Sequence, residues 1–180
     1  MGFNDRLEGM TVEEMDLVIR AYDGLRVLEA PGRDELSQNA QRDELSPKEP
    51  PDLFYLYDPA ADLPPERQQP FATIVTGDHY EKVSRLDEPG AWRLNVGLTK
   101  ATYTSLFGPV PTERDADWVL DAGQDYAARD TLMPHPFYAS QHWVCIVAPT
   151  DAAPLLPLLQ EAYDFAVRKY ANHEARLGTP

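Results

Sequence analysis

The sequence has one cysteine, Cys145, so no internal disulfide can form. The fold therefore needs no oxidising compartment. No apolar run approaches the roughly 18 residues of a membrane-spanning helix, so no membrane partner is expected. Basic residues are sparse and scattered, and Arg168-Lys169 is the only adjacent pair. A nucleic-acid footprint is a basic patch or stripe, so no nucleic-acid partner is expected either. The opening residues, Met-Gly-Phe-Asn-Asp-Arg-Leu-Glu, lack a basic region followed by an apolar one, and Arg6 stands where a myristoylation signal carries Ser or Thr. Neither a secretory signal nor a lipid anchor is expected, and the cytoplasm is the expected location. Four signatures are missing: Gly-x-Gly-x-x-Gly, a phosphate-binding lysine loop, Gly-x-Ser-x-Gly and His-Glu-x-x-His. No cofactor is expected, and no metal site follows from the histidine spacing.

What is present is a chain of 180 residues, 43% hydrophobic, with 17 prolines and a net charge of −14. That length predicts one domain over 1–180 with a real core. The acidic balance favours solubility. Prolines and charges gather in two polar insertions, 31–52 and 109–124. The first repeats Arg-Asp-Glu-Leu-Ser at 33–37 and 42–46. Two polar copies make a loop and not a solenoid. In the second, Trp118 is expected to pin its own loop to the body.

Thr11-Val12-Glu13-Glu14 fits a capping box, predicting a helix from Thr11 to about Tyr22, with Val12, Met15, Ile19 and Tyr22 inward. Strands are predicted over Leu25–Ala30, Leu53–Tyr57, Phe71–Thr76, Ala91–Leu98 and His142–Ala148. In the fourth, Trp92, Leu94, Val96 and Leu98 alternate with Arg93, Asn95 and Gly97. Thr99 caps a short helix ending at Gly108. Leu155, Leu159, Ala162, Tyr163, Ala166 and Tyr170 form the core stripe of a long last helix, with Asp164 and Arg168 paired outside. The fold class is α+β: a mainly antiparallel sheet of about five strands, with an N-terminal helix, a short middle helix and a long C-terminal helix packed on it.

Phe-Ala-Thr-Ile-Val-Thr at 71–76, Val-Ser-Arg-Leu-Asp-Glu-Pro at 83–89, Arg-Leu-Asn-Val-Gly-Leu at 93–98 and Leu-Met-Pro-His-Pro-Phe-Tyr at 132–138 resemble a bacterial family catalogued only as a domain of unknown function. Trp143-Val144-Cys145 and Glu161-Ala162-Tyr163 continue the match. A more distant resemblance is to MmcQ/YjbR-like proteins, carried by Phe71–Val75, Leu94-Asn95-Val96, His142-Trp143 and Leu155–Tyr170. It implies a frataxin-like (CyaY-like) α+β fold. Some members are proposed to bind DNA through a basic surface. Here Ser140-Gln141 precede His142-Trp143 where those relatives tend to carry lysines, so that role does not transfer.

The candidate site lies in the stretch Met133–Ala148. His135 stands between Pro134 and Pro136, which hold the backbone stiff and present the imidazole in a fixed direction. It is the candidate acid/base and a candidate ligand contact, with a structural ring bonded to backbone as the alternative. Asn95, Tyr138 and His142 complete the expected ligand-binding set. His142 is also read as a structural residue at the strand start, and His79 and Tyr80 as exposed loop residues. Cys145 reads as a buried core thiol. Three functions stay open: binding of a small molecule or protein partner, an enzyme of specialised metabolism using His135 as acid/base, or an interaction module without a pocket. Glu13, Glu14 and Asp16 invite comparison with an iron-binding acidic face, but a capped, solvated helix accounts for them.

Overall fold

The computed structural model describes residues 9–30, 50–120 and 123–177. The duplicated Arg-Asp-Glu-Leu-Ser segment lies outside them. Helix α1 (Val12–Arg20) starts as its sequence dictates: Thr11 Oγ1 accepts from the Glu14 N–H, and Glu14 returns a carboxylate to the Thr11 N–H. It ends two residues earlier than its apolar pattern suggests. The chain turns at Gly24 (φ +66°), where a Cβ would lie 2.8 Å from the Tyr57 ring.

Six strands follow: β1 (Leu25–Ala30), β2 (Asp52–Tyr57), β3 (Ala72–Val75), β4 (Arg93–Gly97), β5 (Met133–Pro134) and β6 (Trp143–Val147). All neighbours pair antiparallel, in the order β1-β2-β3-β4-β6-β5. The sixth strand exceeds the five expected. It is a two-residue edge, too short for any alternation to reveal, and its Pro134 sits where a missing N–H costs least. Helix α2 (Lys100–Phe107) follows β4, and helix α3 (Leu156–Leu177) closes the described chain.

The register stacks residues of like chemistry into rows. Leu53, Ile74, Leu94 and Ile146 face each other across four strands, as do Tyr55, Ala72, Val96 and Val144. These two rows meet α1 through Met15 and Ile19, the turn before α3 through Leu155, and α3 through Leu159 and Ala162, in one apolar cluster. Burying each such side chain contributes about 1.5–3 kcal/mol. The opposite face carries the rows Thr73–Asn95–Cys145–Met133 and Val75–Arg93–Val147. Among the described residues no long helix covers it; Leu86 and Ala91 on one side and Val119 and Tyr126 on the other do.

The 31–52 insertion is one residue too long as read. Asp52 opens β2 and is fully buried. In the 109–124 insertion, Val119 and Leu120 are buried while Trp118 is 72% exposed, so Trp118 does not pin its loop. The Asp164–Arg168 pair also differs: Asp164 accepts from Gln160 Nε2 at 2.9 Å, and the Arg168 guanidinium lies over the Phe165 ring.

Candidate functional site

Two regions hold side chains placed for more than packing. The first is the polar face of the sheet. Arg93 and Asn95 alternate with core residues, a pattern that suits a solvated face, yet they are 3% and 2% exposed. Arg93 Nη1 donates to Glu81 Oε1 at 2.5 Å and to Ser84 Oγ at 2.6 Å. Glu81 also accepts from the Val83 and Ser84 N–H groups, so a buried ion pair ties the 77–90 loop onto β4. Asp52 receives the Thr76 N–H and hydroxyl on one oxygen and His79 Nε2 on the other. His79 is therefore not an exposed loop residue. Its carboxylate partner pulls it in, and only Tyr80 beside it stays exposed.

His135 lies in this face, 4% exposed. Its Nδ1 accepts the backbone N–H of Phe137 at 3.1 Å and of Tyr138 at 3.2 Å. A neutral ring used this way carries its proton on Nε2. Burial, aided by Arg93, holds its pKa well below the ordinary histidine value. The two prolines thus serve a turn in which the imidazole satisfies backbone donors. Asn95 donates to Thr73 Oγ1 at 2.9 Å on the neighbouring strand. Cys145 occupies the same row, and burial pushes its thiol up to about 12. Among the described residues no group of three metal-ligating side chains converges.

The four expected ligand contacts lie on both faces of the sheet. Tyr138 is half-exposed, with its ring 4.9 Å from that of His135. His142 takes a left-handed conformation (φ 65°) just before β6, and its ring meets the edge of Tyr103 at 5.6 Å. Tyr103 belongs to the apolar cluster on the other side of the sheet from Asn95.

The second region is a groove of about 420 Å³ at the end of the sheet, beneath the C-terminal half of α3. Strand ends supply Tyr57, Phe71, Gly97 and Trp143. The helix supplies Ala162, Phe165, Ala166, Lys169, Tyr170 and His173, one face at spacings of three and four residues. The predicted core stripe of α3 thus divides. Leu155, Leu159 and Ala162 are buried in the sheet, while Ala166 and Tyr170 wall the groove. The space exists because small residues stand opposite one another: alanines on the helix and Gly97 on β4. A Cβ at Gly97 would lie 3.1 Å from the Trp143 indole, so glycine lets that ring lie close against the strand end. None of Asn95, His135, Tyr138 and His142 lines the groove. In the sequence the groove shows only as two small residues, Ala162 and Ala166, within the predicted core stripe of the last helix.

A family model described as a family of unknown function (DUF6194) matches residues 10–175. No curated protein and no solved structure matches the chain. No helix among the described residues is long and apolar enough to cross a membrane.

Proposed function

The chain belongs to DUF6194, a family of unknown function, and for this member we propose binding of a small organic molecule in the groove beneath α3. The observation that carries this is the groove itself. Its volume, about 420 Å³, falls in the range of small-molecule sites, and its walls combine aromatic and aliphatic side chains with Glu66, Arg67, Gln69, Gln141, Lys169 and His173. The aromatic rings are fixed: Tyr57 packs edge-on to Tyr170 at 5.4 Å, and the Trp143 ring lies against Gly97. A pre-formed wall loses little entropy on binding. His135 supports acid/base chemistry less well, because its Nδ1 is already engaged with two backbone donors.

Ala166→Leu tests the proposal. Ala166 is only partly buried, so the longer side chain fills the groove without entering the core. Isothermal titration with indole-3-acetamide, a neutral planar probe, should give binding to the native chain and at least tenfold weaker binding to the variant, with an unchanged melting transition. Binding that survives Ala166→Leu would place the ligand elsewhere.

A further inference from the structure

We propose that the groove selects an aromatic carboxylate, with its ring against Trp143 and its carboxylate toward Arg67 and Lys169. This rests on the groove being the binding site and adds the ligand's chemical class. The chain carries 30 acidic and 16 basic residues, so a surface region sampled at random should be acidic. The groove is the reverse. Its lining holds Arg67, Lys169 and His173 against a single carboxylate, Glu66. The Lys169 ammonium rests over the Phe165 ring, 4.3 Å from its centroid, which keeps it at the groove wall. Among the described residues no carboxylate forms an ion pair with Arg67 or Lys169. Their charge is therefore available to a ligand.

The apolar part has a matching bias. Trp143 offers an indole face held by the missing Cβ of Gly97. Ala162 and Ala166 put small side chains on the helix wall, beside the rings of Phe71 and Phe165. Planar rings stack on such faces with centroids about 4.5–7 Å apart. Along α3, Ala162 and Lys169 are seven residues apart, about 10 Å at the helical rise. Ring and carboxylate would thus be separated by a short linker.

Three probes of one shape, indole-3-acetate, indole-3-acetamide and tryptamine, test the charge at constant ring. Titrations with the full chain should rank acetate tightest and tryptamine weakest, with at least fivefold between neighbours. Lys169→Gln and Arg67→Gln should each weaken acetate about threefold, as exposed ion pairs do, and leave acetamide unchanged. Both residues are exposed, so the fold is not at risk. Equal affinity for all three probes, each lost in Ala166→Leu, would overturn the charge selection while leaving the groove as the site. No binding by any probe would overturn both. Weaker acetate binding in Trp143→Leu, restored in Trp143→Phe, is the expected sign of stacking; equal loss in both would contradict it.

Discussion

Both faces of the sheet are buried: the helix side is almost wholly apolar, while the loop side sets Arg93 and Asn95 among two smaller apolar clusters. On the helix side, Leu94 and Val96 meet Leu159 and Ala162, and the rows across the strands are almost wholly apolar. On the loop side the same strand contributes Arg93 and Asn95: Arg93 Nη1 pairs with Glu81 and Ser84 and Asn95 Nδ2 with Thr73, while Arg93 Nε and Asn95 Oδ1 have no hydrogen-bond partner among the described residues. A helix can only cover a sheet with an apolar stripe, since its own backbone bonds are internal. Loops cover a sheet with carboxylates, hydroxyls and backbone groups that need partners, and buried polar strand residues supply them. The Arg93–Glu81 ion pair thus fastens the 77–90 loop to the sheet.

The largest effect that would separate the faces is at Arg93. Arg93→Ala leaves Glu81 charged and unpaired in the interior and should cost about 3–5 kcal/mol, read as a lowered urea midpoint. Arg93→Met with Glu81→Met should recover most of that loss, because a buried ion pair replaced by apolar side chains is often neutral. Leu94→Ala should cost about 2–5 kcal/mol, and no partner change should rescue it. If the double variant is as unstable as Arg93→Ala, the fastening account fails.

His135→Leu comes next. It strands two backbone donors and should cost about 2–6 kcal/mol, at about 1–3 each. Its pH dependence has a definite sign. The folded pKa lies well below the unfolded value of 6.5, so the unfolded chain takes up the proton first. This contribution is complete above pH ~6.5 and is lost as pH falls below it, by up to about 1.4 kcal/mol per pH unit. His135→Gln should flatten that part of the stability profile between pH 6.5 and 5. An unchanged slope would mean that His135 is not buried neutral.

Smaller effects test the helix side and the thiol. Thr11→Ala should cost about 1 kcal/mol, the usual value of an N-cap, with the loss confined to α1 in hydrogen exchange. Cys145 should resist a thiol reagent at pH 8 in the native state and react at once in denaturant, since burial pushes its thiol up to about 12. Native labelling at the denatured rate would show that the loop side opens.

How much of this was legible in the sequence follows the same division. Helix α1 could be read from Thr11 and Glu14 because a capping box is local. The strands and α3 could be read from periodicity, and Cys145 from its place in an apolar strand. The partners of Arg93 and Asp52 could not, because Glu81 and His79 reach them from a loop of no regular period. His135 stood out through its flanking prolines, but nothing local says whether its imidazole faces a ligand or two backbone N–H groups. The groove was hardest, since it joins Trp143, Gly97 and Ala166, and only the register and the helix crossing bring those together.

The most direct measurement is amide chemical-shift mapping of the full chain titrated with indole-3-acetate. Ligand in the groove predicts saturable shifts at Gly97, Trp143 and Ala166, with Asn95, Phe137 and Tyr138 nearly still. Shifts centred on Asn95 and the His135 turn, with Ala166 unmoved, would contradict it and return the site to the polar face.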